Sequence, residues 1–131
     1  MPFKAGDVVR IWDGSIRPPD YKRFVVIWPD EGWVLRINSN PRWKPNWPLS
    51  AADNPDCLDH DSYLELHGIV EYTADELNKA ELLGYLADGT IEDLIELLPT
   101  ILTFTEEECE AMVAQLEALF PSAASNPSTG G

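Results

Sequence analysis

The sequence predicts an α+β fold in which a small antiparallel β-barrel is followed by C-terminal helices. Two observations lead to this prediction. Short runs rich in Val, Ile and aromatic residues, separated by turn pairs, occupy the first half of the 131 residues and are typical of strands. Helix-capping signals begin at residue 73. We expect a single domain over 1–120, with a β-barrel part at 1–72 and a helical part at 73–120, and a disordered tail at 121–131.

The strands are predicted from apolar runs that end at turn-forming residues. The pair Asp13-Gly14 ends the first run, and the segment 29–32 (PDEG) joins the second run to the third. The second and third runs should therefore form a hairpin. Four prolines in residues 39–61 argue against a long central strand or helix in that segment. The four predicted strands are residues 7–12, 21–28, 33–37 and 63–70.

The helices are predicted from their caps. Thr73 opens a capping box, and its helix is expected to end at Gly84. Thr90 is expected to cap a second helix, which Pro99 stops. Another capping box begins at Thr105. The apolar residues that follow it recur at helical spacing and indicate a core or interface stripe formed by Cys109, Met112, Val113, Leu116 and Phe120.

Charge is distributed unevenly along the chain. The formal net charge is −14, but residues 1–50 hold eight basic and five acidic residues, a balance of +3. Residues 51–131 hold one basic and 18 acidic residues, a balance of −17. A polyanion site must therefore be built from the first half, which also contains all five tryptophans, although the whole molecule repels a polyanion at long range. The acidic half is either a solvated helical face or a surface for a basic partner.

Several classes of protein have little support in the sequence. No apolar run has the length of a membrane span, and the N-terminus MPFKAGDVVRIWDG has no signal-peptide h-region. We therefore expect a cytoplasmic chain with no membrane association and with reduced thiols at Cys57 and Cys109. The glycine-rich nucleotide motifs, the G-x-S-x-G elbow and a Cys–His signature are missing, so nucleotide-binding and nucleophile-triad enzymes have weak support.

A metal site is a further candidate in the second half of the chain. The spacing of Cys57, Asp59, His60, Asp61 and His67 is one that metal ligands can use. His67 lies on a predicted strand and the other residues lie on a loop, and a fourth tetrahedral ligand is not obvious. We therefore expect a solvated acidic loop, with no metal and no cofactor.

A group of polar residues lies at the open end of the predicted hairpin. Arg23 begins the second strand and Ser39 follows the third, and antiparallel pairing brings positions equidistant from the turn together. A guanidinium beside a hydroxyl and an amide can hold a phosphate, and aromatic rings nearby can stack bases. The alternative is a strand edge with a surface arginine and a turn serine. The candidate binding residues around Arg23 and Ser39 are Lys22, Arg36, Asn38, Trp33, Trp43 and Trp47.

The order of these segments resembles the PemK/MazF toxin family over about residues 5–98. The resemblance starts at Gly6-Asp7-Val8-Val9 and continues with a basic residue before a hydrophobic strand at Arg23-Phe24-Val25-Val26. The later matching segments are residues 37–39 (INS), 61–66 (DSYLEL), 73–84 and the helix at 91–98.

The resemblance implies an SH3-like barrel that forms a homodimer and cleaves single-stranded RNA as a metal-independent endoribonuclease. It also implies a protein partner, an antitoxin segment that covers the RNA groove. The catalytic residues carried over from the family are Arg23, which would stabilise charge on the phosphate, and Ser39, which would orient the phosphate or the ribose hydroxyl. Because a fold does not imply a function, the alternative is a non-catalytic acidic interaction protein, an inhibitor or nucleic-acid mimic, that binds a basic protein.

Overall fold

The computed structural model describes residues 3–120, and all bounds below refer to them. Three α-helices follow or interrupt the strands: α1 (Ala74–Asn78), α2 (Asp88–Leu97) and α3 (Glu106–Glu117). Short 3₁₀ turns occupy Pro29–Glu31 and Leu98–Thr100. The seven strands are β1 (Asp7–Asp13), β2 (Asp20–Trp28), β3 (Trp33–Asn38), β4 (Asn46–Leu49), β5 (Ser62–Glu65), β6 (Val70–Glu71) and β7 (Glu81–Tyr85).

The strands form one antiparallel sheet in the order β4-β5-β3-β2-β1-β7, and β6 pairs with one end of β3. The prediction of an α+β protein with an antiparallel sheet is confirmed. Within residues 3–120 the sheet is open, because the terminal strands β4 and β7 are not hydrogen-bonded to each other.

The hairpin predicted between the second and third strands is confirmed as β2 and β3. Its register pairs Val25 with Leu35 and Arg23 with Ile37. Gly32 closes the turn with a left-handed φ of 71°, and an added Cβ would overlap the backbone carbonyl of Tyr72. Glycine is therefore the residue that this turn requires, for its backbone conformation and for the close approach of Tyr72.

Two apolar clusters cover the two faces of the sheet. Val25 and Leu35 belong to the larger cluster, which also contains Leu94 of α2 and Met112 of α3. Their neighbours along each strand point to the opposite face, as strand geometry requires. That face carries the smaller cluster, to which α1 contributes Leu77. The sheet is thus packed between the helix pair α2–α3 and the single helix α1.

The helix expected from Thr73 to Gly84 is shorter than predicted. Its capping box is present, but α1 ends at Asn78 and residues 81–85 form the edge strand β7 against β1. Gly84 therefore lies within a strand, where an added Cβ would overlap the backbone carbonyl of Asp56. Pairing with β1 satisfies backbone groups that a longer helix would have used, so tertiary contacts override the local helix signal.

Two other boundaries differ from the prediction. The second helix begins at Asp88 rather than after Thr90, and the N–H of Ala87, just before it, donates a hydrogen bond of 2.8 Å to the Asn54 side chain. The predicted strand at 63–70 is divided into β5 and β6. The capping box at Thr105 is confirmed as the start of α3. The expected tail at 121–131 lies outside the described residues.

None of the helices in the described part of the chain is long and apolar enough to cross a membrane.

Candidate functional site

A pocket of about 250 Å³ lies at the end of the β2–β3 hairpin that is farthest from its turn. Four of the nine Lys and Arg residues of the chain line this pocket, together with one carboxylate. Such a concentration of cations is unusual in a chain with a net charge of −14. The lining residues are Arg10, Asp20, Tyr21, Lys22, Arg23, Arg36, Ile37, Asn38, Ser39, His60 and Ser62.

Two arginines face each other across β1 and β2 at this pocket. Arg10 and Arg23 are directly paired in the register, and like charges in that position destabilise a sheet. Each has one acidic partner: Arg10 binds Glu81 at 2.8 Å, and Arg23 lies 3.4 Å from Asp59. Both arginines line the pocket, so they supply positive charge for an anion bound there.

Ser39, His60 and Asp59 form a continuous hydrogen-bonded series beside Arg23. The Ser39 Oγ lies 2.9 Å from His60 Nε2, and His60 Nδ1 lies 2.6 Å from Asp59 Oδ1. The pairing of β5 with β3 causes this contact, because Asn38 is opposite Tyr63 and the loop before β5 therefore lies beside the end of β3. Sequence separation between Ser39 and His60 is 21 residues.

The charge on Asp59 decides which tautomer the neutral His60 imidazole adopts. The hydrogen bond from His60 and, second, the charge of Arg23 lower the pKa of Asp59 below its ordinary value. An ionised carboxylate can only accept, so in the neutral imidazole Nδ1 carries the hydrogen and Nε2 has the lone pair. Nε2 then accepts the Ser39 hydroxyl hydrogen. His60 and Ser39 both line the pocket, so His60 is placed to act as a base there.

The structure brings five of the sequence-predicted site residues around the same pocket, but on two faces of the sheet. Arg23 and Ser39 lie on one face by strand alternation, and Lys22, Arg36 and Asn38 lie on the other. Lys22 binds Asp13 at 2.7 Å, and Asn38 donates to Glu65 at 3.0 Å. The contacts of Lys22 and Asn38 are therefore with strand residues, and not with the hydrogen-bonded series at Ser39.

Arg36 also lines the pocket and has unused donor capacity. It is half-buried, and its Nε is buried without a hydrogen-bond partner among residues 3–120. Burial of an unpaired guanidinium nitrogen costs free energy unless a ligand or water satisfies it. Arg36 therefore remains a candidate for binding an anion.

The three tryptophans predicted to stack bases lie away from the pocket lining. Trp33 packs against Trp28 with ring centroids 5.2 Å apart, at the turn end of the hairpin. Trp47 lines a separate cavity of about 340 Å³, and Trp43 lies 6.2 Å from the ring of His67. The sequence prediction grouped them by proximity in the chain, whereas β4 and the loop before it carry two of them to another edge of the sheet.

Sequence reasoning weighed Asp59 and His60 only as metal ligands and did not connect them to Ser39. Pairing the fourth predicted strand with the third would have found the connection, because that register brings residues near 60 to the end of β3. Arg10 was also missed as a site residue. Its position opposite Arg23 follows from the hairpin of β1 and β2.

The residues weighed as metal ligands do not converge in the structure. Within residues 3–120, no group of three or more His, Cys, Asp or Glu is arranged to hold a metal ion. Cys57 is buried, and burial raises the pKa of its thiol to about 11. Asp61 accepts from the Ala51 N–H at 3.0 Å, and His67 pairs with Glu65 at 3.1 Å.

The arrangement has three chemical capabilities at one place. His60 offers a base, Arg23 and Arg10 offer positive charge for an anion, and Ser39 offers a hydroxyl that either positions a ligand or acts as a nucleophile. No protein-family model, curated protein or solved structure matches this chain.

Proposed function

We propose that this chain is a metal-independent endoribonuclease that cleaves single-stranded RNA at the pocket of Arg23 and Ser39. The observation that carries the proposal is the hydrogen-bonded series Ser39–His60–Asp59 beside two directly opposed arginines. A phosphodiester has the negative charge that Arg10 and Arg23 would bind. The ribose 2′-hydroxyl next to it provides the proton that His60 would remove.

The proposed step is an internal transfer at phosphorus. The 2′-hydroxyl attacks the adjacent phosphorus while His60 Nε2 takes its proton. The bond between the 2′-oxygen and phosphorus forms, the bond between phosphorus and the 5′-oxygen breaks, and the leaving oxygen takes a proton from water. His60 then returns its proton to the hydroxide, so the products are a 2′,3′-cyclic phosphate and a 5′-hydroxyl end. No metal ion takes part.

Each neighbouring side chain has a defined role in this step. Arg23 stabilises the charge that develops on the phosphate oxygens. The substrate 2′-hydroxyl replaces the Ser39 hydroxyl as the donor to His60, and Ser39 then donates to a phosphate oxygen. Asp59 keeps the imidazole in the tautomer that has its lone pair on Nε2.

The resemblance to the PemK/MazF family supports the same proposal from the sequence. It adds the finer expectations of an SH3-like barrel, a homodimer and an antitoxin that covers the RNA groove. The terminal strands of the sheet are β4 and β7, and an edge strand is a position at which a protein partner can pair. These expectations are part of the proposal.

The test is incubation of the purified protein with labelled single-stranded RNA in EDTA at about 0.1 M salt. At that salt, repulsion from the acidic half is screened over about 10 Å. Wild type should cleave the RNA and Arg23→Ala should not. Lys4→Ala is the matched control, because it also removes one positive charge and Lys4 is an exposed residue that precedes the opposite end of β1. Intact RNA with wild type, or equal loss in both variants, would refute the proposal.

A second candidate is a non-catalytic interaction protein that binds a basic partner through its acidic helices. The observation in its favour is that α2 and α3 contain no basic residue, while eight of their carboxylates are exposed: Asp88, Glu92, Asp93, Glu96, Glu106, Glu107, Glu110 and Glu117. Binding of a basic protein by this surface should weaken steeply as salt increases. A complex that is unchanged at high salt would exclude this electrostatic mode.

A further inference from the structure

Two exposed aromatic residues stand next to the pocket on the same face as Arg23. Trp12 on β1 is directly paired with Tyr21 on β2. Their rings meet edge to face with centroids 5.1 Å apart and an interplanar angle of 72°. Trp12 is 56% exposed and Tyr21 is 44% exposed, so neither contributes to a core cluster.

Neighbouring side chains hold this aromatic pair in place. The guanidinium of Arg10 lies 4.2 Å from the centroid of the Tyr21 ring, and Arg10 is itself held by Glu81 at 2.8 Å. One face of Tyr21 is therefore covered by a cation, and the edge-to-face contact orients Trp12 against it. Side chains held by such contacts have little conformational freedom left to lose when a ligand binds.

We infer that Trp12 and Tyr21 form a stacking platform for a nucleobase of the single-stranded RNA whose phosphate lies at Arg10 and Arg23. The inference rests on the proposed function and extends it from the phosphate to the base. Tyr21 and Arg10 line the pocket themselves, so the platform is continuous with it. Tyr21 and Arg23 are two residues apart on β2, which is about 7 Å along a strand.

The chemistry of the platform favours a base over another apolar ligand. The aromatic pair lies next to the Arg10–Arg23 pair on β1 and β2, and aromatic rings beside cations are how single-stranded nucleic acids are held without base-specific hydrogen bonds. The platform should therefore accept any base, and sequence preference should arise elsewhere.

The test measures binding of a fluorescent single-stranded 2′-fluoro RNA octamer, which lacks the 2′-hydroxyl and cannot be cleaved. Trp12→Ala should weaken binding about 5- to 150-fold, the effect expected for losing one stacked base. Trp12→Phe should restore most of the affinity. Tyr85→Ala is the matched control, because Tyr85 is 55% exposed but pairs with Asp7 at the other end of β1. Circular dichroism should confirm that each variant is folded.

An abasic version of the octamer separates base stacking from phosphate binding. Wild type and Trp12→Ala should bind it equally, because no base remains to be stacked. If Trp12→Ala binds the normal octamer as wild type does while Arg23→Ala binds it more weakly, the platform is refuted and the phosphate site stands. If wild type does not bind the octamer even at low salt, the proposed function is refuted together with the platform. An equal loss in Tyr85→Ala would also overturn the inference.

Discussion

Replacing His60 by alanine should nearly abolish RNA cleavage while leaving the fold intact. The imidazole connects Ser39 at 2.9 Å with Asp59 at 2.6 Å, so its removal breaks the series at its centre. His60 lies on an exposed loop and belongs to neither apolar cluster. The variant therefore tests catalysis rather than stability.

The size of the effect follows from the exposure of the residue. A positioned general base contributes roughly 10²- to 10⁴-fold to a rate, or about 2.7 to 5.4 kcal/mol of activation free energy. The His60 side chain is 46% exposed, and water can partly replace it as a proton acceptor. We therefore expect the lower end, a loss of about 10²-fold. Asp59 is 74% exposed, so Asp59→Asn should cost only about tenfold.

The assay is single-turnover cleavage of labelled RNA in EDTA, measured as a function of pH. Cleavage by wild type uses the lone pair of His60 Nε2, which accepts the 2′-hydroxyl proton. Because the pKa of Asp59 is lowered, its carboxylate stays charged below the usual carboxyl range and is not the group that limits activity.

The chain provides a matched control in its other histidine. His67 is 44% exposed and also pairs with a carboxylate, Glu65, but it does not line the pocket. His67→Ala should cleave at the wild-type rate with the same pH profile. Equal rates for wild type and His60→Ala, or equal losses for the two histidine variants, would show that His60 is not the base.

Three further predictions concern the stability of the fold, each measured by urea denaturation. Leu94→Ala should lower the free energy of unfolding by about 2–5 kcal/mol, because Leu94 is fully buried. Leu102 is 94% exposed, so Leu102→Ala should change it by less than about 0.5 kcal/mol. Similar losses in the two variants would contradict the described core. Gly32→Ala should lower the free energy of unfolding by about 2 kcal/mol or more, since the left-handed φ of Gly32 and a neighbouring carbonyl both exclude a Cβ. Gly89 lies in open space on α2, so Gly89→Ala should be neutral or stabilising. Burial raises the pKa of Asp7, so its contribution to stability is present at low pH and is lost as the pH rises through the folded-state pKa. Asp7→Asn should therefore be more stable than wild type near neutral pH, and the difference should vanish in acid. A difference that does not depend on pH would refute this account.

Local patterns predicted the elements whose causes are local. The β2–β3 hairpin follows from two apolar runs around a PDEG turn, and the start of α3 follows from the capping box at Thr105. In both cases the residues that determine the structure are within a few positions of each other. The grouping of Arg23 and Ser39 at one pocket also follows from the hairpin, because antiparallel pairing relates positions by their distance from the turn.

The tertiary structure decided what depends on contacts between distant segments. Residues 81–85 form a strand because β1 has an unpaired edge that they can satisfy, although the preceding capping box favours a helix. The approach of His60 to Ser39 depends on the register of β5 against β3, and the Trp12–Tyr21 pair depends on the register of β1 against β2. Register is selected by which side chains the whole sheet buries, and a one-residue slip would reverse every face. The sequence by itself therefore determined the candidate residues of the hairpin. Only the assembled sheet placed the general base His60 and the Trp12–Tyr21 pair beside them.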